Sequence, residues 1–359
     1  MEAPAGKRLT LVHGRFYEDF EPGRQFVHHW GRTILESDTV LFSAITMHYN
    51  PLYFNREYAR SVGYDDVPVN PLFLLYLTLG LSVEDLSEAG GPFLGCNEVR
   101  IHGPVYPGVT VYSRSRVLSQ RLTASRPGWG VVEWFTEGHD GQGRVLIDFR
   151  RRNLSQCGTP QPAEHGRPQQ EASASAAVSK AVAPAAAPAG KKDEPAEFIE
   201  RMPAGEGRYF DDFAVGQVYV HGRGKTVSEM DNYLVTHMTM NTAQAHFNRA
   251  YMESFFGGQF KERLVMGGCT MALAIGLTAQ DMSEHALADI GYDGIRLPNP
   301  VFHGDTLHAE SEVLEVRPAP DRLDAGIVRY RATGTNQHGA VVVEAERSVL
   351  LRRREHVDR

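Results

Sequence analysis

The residues whose chemistry stands out lie in the run NTAQAHFN, 241–248. Asn241, Thr242, Gln244, His246 and Asn248 all hydrogen-bond, and no Gly or Pro makes the run a plain turn. An imidazole moves protons near neutral pH. A carboxamide can hold a water but cannot take its proton. Further along, Gly267 and Gly268 open the apolar run GGCTMALAIGLT. A helix starting there leaves backbone N–H groups unsatisfied and carries partial positive charge, which suits an oxygen gaining negative charge. Glycine also lets that oxygen come close. In FKERL, Lys261 and Arg263 are cations suited to phosphate or carboxylate, and Arg296 is a third. Each feature also has a plainer role: a structural histidine, a helix cap, helix packing or a solvated basic loop. His237, one helical turn before Asn241, is expected as a satisfied core histidine, and Asp305 in HGDTL as a turn residue.

The stretch HYNPLYFN, 48–55, has the same shape in the first half of the chain, because the halves are repeats. FYEDFEPGRQFVHHWGRTILESD from Phe16 aligns with YFDDFAVGQVYVHGRGKTVSEMD from Tyr209 at a constant offset of 193. The same offset lays TMHYNPLYFNREY on TMNTAQAHFNRAY. Further on, GPVYPGVTVYSRSRVL matches NPVFHGDTLHAESEVL at an offset of 196. Residues 155–198 are Ala, Pro, Gln and Ser with almost no large apolar side chain, so they are expected as a flexible linker. They divide the chain into an N-terminal repeat, 1–154, and a C-terminal repeat, 199–359.

Each repeat needs the same elements to position its polar run. A helix is expected from Thr33 or Thr226, where T-x-x-E (Thr33/Glu36, Thr226/Glu229) reads as a capping box. Val40, Leu41, Ala44 and Ile45, or Tyr233, Leu234, His237 and Met238, then give its apolar face. A second helix, apolar all round and therefore buried, begins at Asn70–Pro71 or at Gly267. Alternating segments such as VTVYSRSRVLSQRLT, GVVEWFTEGHD and TLHAESEVLEVRP follow as antiparallel strands. One buried helix wrapped by a long-stranded sheet, twice over, is an α+β architecture.

Composition fits a soluble two-domain protein: 359 residues, 42% hydrophobic and 23% charged. A net charge of −7 argues against nucleic acid as partner. Cys96, Cys157 and Cys269 are widely spaced, giving neither a disulfide framework nor metal-ligand spacing. No apolar run reaches the ~18 residues of a membrane span, and the N-terminus lacks an apolar signal core. No membrane partner is expected, and the cytoplasm is the expected location. The oligomeric state stays open. No Rossmann or P-loop glycine pattern and no metal motif is present.

At this point the residues resemble a known family. Helix, polar loop, buried helix and then LPNPVFHGDTL (297–307), more loosely HGPVYPGVTV (102–111), look like the MaoC-like hot-dog hydratases and dehydratases. Two such units in one chain resemble the double-hot-dog members. NTAQAHFN followed by ERLVMGG looks most like the mesaconyl-CoA hydratase, or β-methylmalyl-CoA dehydratase, branch. The resemblance implies a tandem hot-dog fold and reversible hydration of a short branched enoyl-CoA. It implies no cofactor beyond the CoA of the substrate. The family's water-orienting Asp and His fall on Asn241 and His246 here, and on His48 and Tyr53 in the first half, so neither half keeps the full pair. By this resemblance His246 is the acid/base, working near neutral pH without a large pKa shift. Asn241 positions the water, and the Gly267 and Gly268 N–H groups bind the thioester oxygen. Lys261, Arg263 and Arg296 are candidates for CoA phosphates or a substrate carboxylate. The first half becomes a degenerate partner that shapes the acyl pocket. A 3-hydroxyacyl-thioester dehydratase of a fatty-acid-like or polyketide pathway, a hot-dog thioesterase and a non-catalytic acyl-CoA-binding protein are the competing readings.

Overall fold

A computed structural model describes residues 13–158 and 208–356. Most of the expected linker therefore lies outside the described residues. Its expected start needs correction, because the last strand of the first half runs through Ser155 to Gln156.

The first half contains β1 (Gln25–Thr33), α1 (Glu36–Ile45), α2 (Arg56–Ser61), α3 (Pro71–Gly80), α4 (Val83–Leu86) and then β2 (Phe93–Ile101), β3 (Thr110–Leu122), β4 (Trp129–His139) and β5 (Val145–Gln156). The second half repeats the plan with β6 (Val218–Val220), β7 (Lys225–Thr226), α5 (Glu229–Met238), α6 (Gly267–Ser283), β8 (Ala286–Arg296), β9 (Thr306–Pro318), β10 (Ala325–Thr335) and β11 (Val341–Arg352). The strands form one antiparallel sheet in the order β1-β3-β4-β5-β2-β8-β11-β10-β9-β6, with β7 also on β9. Strands β2 and β8 join the halves, with Val99 opposite Tyr292. This is the tandem hot-dog arrangement that the resemblance implies.

All ten residues of α3 are buried, as are fourteen positions of α6, so both helices form the core that the sheet wraps. Each helix also touches the polar loop of the other half. A Cβ on Gly80 of α3 would stand 1.7 Å from the Thr239 carbonyl oxygen, and one on Gly276 of α6 would stand 1.7 Å from that of Thr46. Only glycine permits these approaches. Met47 and Met240, at matching positions of the two loops, both adopt a left-handed φ (58° and 57°) that L side chains rarely take.

Two expectations about α1 and α5 are corrected. Thr33 and Thr226 end strands, where their hydroxyls pair with Thr110 and Thr306 at 2.7 Å. The helices begin later. Ser228 caps α5, exchanging bonds with Asp231, and the Asp38 carboxylate accepts the Leu35 N–H at the start of α1. The inward faces are also not the apolar ones. Asp38, Thr39, Phe42 and Ser43 are buried in α1 and Asp231, Asn232, Val235 and Thr236 in α5, while Leu41, Tyr233 and His237 are exposed. Of these, Thr39, Ser43 and Asn232 bond the residue at the start of the core helix, a demand that hydrophobic periodicity does not register.

Candidate active site

Asn241 follows the left-handed turn at Met240 and is buried. Its Oδ1 accepts the Ala243 N–H at 2.9 Å, and its Nδ2 lies 3.2 Å from the Met266 sulfur, a weak acceptor. A 3-10 turn over Gln244–His246 carries the histidine. Asn248 donates to Gln244 Oε1 at 2.6 Å and accepts the Tyr251 N–H, so much of the polar run serves to hold its own turns.

His246 Nδ1 lies 3.1 Å from the Leu264 carbonyl oxygen. A carbonyl only accepts, so Nδ1 carries the proton and neutral His246 keeps its lone pair on Nε2. The Leu264 N–H donates back to the Ala245 carbonyl at 3.0 Å, locking the loop to the extended segment before α6. The expectation of an unshifted histidine is corrected here: burial pushes its pKa down to about 4. His246 is therefore neutral across the ordinary pH range.

The start of α6 lies three residues beyond Leu264. Met266 is its N-cap and supplies no side-chain cap. In the first half, Asn70 accepts the Leu72 N–H at 3.0 Å and Pro71 removes another donor. The matching donors, on Gly267 and Gly268, have neither device against them. Gly268 has a packing reason too, since a Cβ there would meet the Tyr76 ring at 2.6 Å.

Asn232, which the sequence reading missed, ties these parts together. Its Oδ1 accepts the Met266 N–H at 2.8 Å, while its Nδ2 donates to the His246 carbonyl at 3.0 Å and to His303 Nε2 at 3.1 Å. Burial lowers the pKa of His303, with Arg263 acting in the same direction. Glu88, from the first half, lies beside Thr242 and has its pKa raised by burial. Neither Asn232 nor Glu88 belongs to a recognisable motif. Repeat alignment does put Asn232 opposite Thr39, whose hydroxyl accepts the Asn70 N–H at 2.8 Å in the same way.

The remaining candidates are not gathered into one cluster. Arg263 pairs with Glu229 at 2.8 Å near His303, Lys261 is exposed, and Arg296 pairs with Glu344 at 2.9 Å on an exposed position. His237 is not a core histidine: it is exposed, edge-on to the Tyr233 ring at 4.3 Å and tilted against the Phe247 ring at 5.4 Å. Asp305 is the expected turn residue, accepting the Phe302 N–H at 2.8 Å.

The first-half loop is closed by partners from the second half. Tyr53 donates to Asp289 at 2.7 Å, and burial, with that carboxylate beside it, raises its pKa well above 10. His48, fully buried and pushed down to about 3 by desolvation, lies 3.0 Å from the Arg347 guanidinium. Arg347 in turn grips Asp289 through Nε at 2.5 Å and Nη2 at 3.0 Å. His48 and Tyr53, the two side chains at the matching catalytic positions, are thus both engaged by other side chains.

A family model for mesaconyl-CoA hydratase matches residues 6–260 and 200–359. A mesaconyl-CoA hydratase from Haloarcula marismortui is 29% identical over 365 residues, covering 96% of this chain and 92% of its own. Among solved structures, a MaoC domain protein dehydratase from Chloroflexus aurantiacus superposes with a TM-score of 0.78 at 27% identity, covering 95% of this chain and 98% of its own. A Mycobacterium tuberculosis protein with a double hot-dog fold reaches 0.72 at 20% identity, over 94% of this chain and 98% of its own.

Proposed function

Because this chain belongs to the mesaconyl-CoA hydratase family, we propose that it interconverts an enoyl-CoA and the corresponding 3-hydroxyacyl-CoA. The acyl group is short and branched, with the pair mesaconyl-CoA and β-methylmalyl-CoA the first to test. The observation that carries this reading is a neutral His246 with its Nε2 lone pair uncommitted, in a loop pinned to the uncapped glycine start of α6.

In the hydration direction, Asn241 holds a water through its amide N–H. His246 Nε2 takes one proton as the water oxygen attacks the β-carbon. The π electrons move to the thioester oxygen, which the Gly267 and Gly268 N–H groups stabilise. The burial that lowers the pKa of His246 makes its imidazolium a ready acid. It returns the proton to the α-carbon as the carbonyl reforms, so water is added and the histidine ends neutral. Dehydration runs the same steps backwards.

The test is absorbance at the enone band of the thioester, across enoyl- and 3-hydroxyacyl-CoA esters with short, branched and dicarboxylic acyl groups. Loss or gain of the enone without thiol release is the expected result. Thiol release in place of enone change would make the protein a thioesterase, and binding without either would make it an acyl-CoA-binding protein.

A further inference from the structure

Arg151 on β5 is 1% exposed, and its Nε, Nη1 and Nη2 all lack a hydrogen-bond partner among the described residues. Its guanidinium stands over the Trp134 ring, 5.2 Å from the centroid, and the Trp134 indole N–H is itself unpartnered. Burial pushes the Arg151 pKa down to about 10. A buried, unpaired cation is costly unless something else brings the anion.

The other half of the same molecule shows which partner this position takes. Strand register makes Arg347 the counterpart of Arg151: Arg347 faces Tyr330 on β10, as Arg151 faces Trp134 on β4. Arg347 is satisfied by the Asp289 carboxylate and by the hydroxyls of Ser283 and Tyr330, both at 2.9 Å. Asp289 faces Val349 across the ladder, and the residue facing the matching Asn153 is Phe93. The first-half sheet has therefore kept the arginine and lost its carboxylate. Asn153 Oδ1 and Ser155 Oγ, next along the same face, are also buried without partners, where the second half has the apolar Val349 and Leu351. Arg347 reaches His48, whose repeat counterpart is Asn241, so Arg151 belongs to the pocket of Asn241 and His246.

We propose that Arg151, with the indole N–H of Trp134, is the specificity-determining group that binds the free carboxylate at the far end of a dicarboxylic enoyl-CoA's acyl group. This rests on the hydratase reading above. The substrate carboxylate takes the place that Asp289 fills in the closed pocket. Arginine recognises carboxylate bidentately, and a short acyl chain held by its thioester oxygen at α6 presents its far end across the pocket.

The experiment compares mesaconyl-CoA and fumaryl-CoA with crotonyl-CoA, which lacks the carboxylate, using the full chain and its Arg151→Met and Phe93→Asp variants. Arg151→Met should lower the ratio of kcat/KM for the dicarboxylic over the uncharged substrate by on the order of 10²-fold or more. Phe93→Asp supplies an internal carboxylate and should raise KM for the dicarboxylic substrates while raising the melting temperature. Calorimetric binding of succinyl-CoA against butyryl-CoA gives a readout without turnover, with the same loss of preference expected in both variants. An unchanged ratio in a folded Arg151→Met protein overturns the proposal. So does wild-type enzyme that prefers crotonyl-CoA, although the hydratase reading would then stand. Wild-type protein that turns over no enoyl-CoA yet prefers succinyl-CoA through Arg151 would sink the hydratase reading and leave the carboxylate subsite.

Discussion

The loop at 46–55 and the loop at 239–248 leave their helices through the same left-handed methionine turn, pressed by a glycine of the opposite core helix. They then diverge in what faces them. The first loop meets Arg347 and Asp289, which consume His48 and Tyr53. Arg151, the repeat counterpart of Arg347, has no hydrogen-bond partner among the described residues, and the histidine of the second loop is held by a single carbonyl at Nδ1. The helix starts differ in the same sense: Asn70 and Pro71 seal one, while Met266, Gly267 and Gly268 leave the other open. A duplicated fold thus yields one satisfied pocket and one with unmet hydrogen-bonding capacity. Buried polar groups are normally satisfied, so the unmet capacity marks the pocket that waits for a ligand.

The largest effect expected from this asymmetry is on turnover. His246→Ala should reduce the hydration rate by about 10²–10⁴-fold with the fold retained, whereas Tyr53→Phe at the matching position should leave kcat within a few-fold. Asn241→Ala should cost about ten- to a hundred-fold and add little to His246→Ala, because groups acting on one water are non-additive. With the His246 pKa pushed down to about 4, the neutral base is available at higher pH, and the acid limb of the rate profile should lie near that value rather than at the ordinary histidine value. A midpoint near 6.5, or equal losses from both halves, would break the comparison.

Stability should invert it. Arg347→Met strands the Asp289 carboxylate and should cost about 3–5 kcal/mol in denaturant unfolding, while Arg347→Met with Asp289→Leu should recover most of that. Arg151→Met removes a cation that has no partner and should leave stability equal or higher. Burial alone would raise the Asp289 pKa, but Arg347 beside it holds it below the ordinary carboxylate range. Asp289 therefore adds stability above its unfolded pKa near 4, lost as pH falls through the lower folded value. Half-buried His246 and fully buried His48 have folded pKa values below the unfolded ~6.5, so their share of stability also fades as pH falls below that. Equal losses from Arg347→Met and Arg151→Met would show that both arginines are structural.

Much of this was legible in the sequence, for reasons that can be named. The repeat, the buried helices and the long outer strands β3, β4, β9 and β10 follow periodicity, because one face of each packs and the other does not. The joining strands β2 and β8 carry no such pattern. Gly95, Glu98 and Gly294 take positive φ in β2 and β8, and register shifts break the alternation that marks a strand. Asn241, His246 and the glycine pair were found because they sit in one local motif. Asn232 and Arg151 act from other elements, and the lack of a partner is a property of three-dimensional packing that no spacing records.

A smaller effect is expected at the two glycines. Gly80→Ala and Gly276→Ala each drive a Cβ into a carbonyl oxygen and should each cost about 1–3 kcal/mol. Their effects on activity should differ. The Cβ on Gly80 would also stand 3.2 Å from the Asn241 N–H nitrogen, so its loop shift moves a working group and lowers kcat. Gly276→Ala pushes the closed loop instead and should keep its turnover per folded molecule.

The smallest effect isolates one side chain. Asn232 and Thr39 do one job in common, accepting the N–H of the residue before the core helix, at 2.8 Å in each half. Asn232 does a second job that a hydroxyl in that place does not, donating to the His246 carbonyl and to His303. Asn232→Thr therefore writes the first half's solution into the second. The helix start keeps its bond, while the histidine turn loses one of its holds. One such bond contributes about 0.5–1.5 kcal/mol, so a shift of kcat by about two- to tenfold is expected, with a change in melting temperature of only a few degrees. Asn232→Ala removes both jobs and should lower stability further. If the Thr and Ala variants lose turnover and stability in the same proportion, Asn232 holds the fold and nothing more. If Thr keeps the stability but not the rate, the second donor of Asn232 is what positions His246.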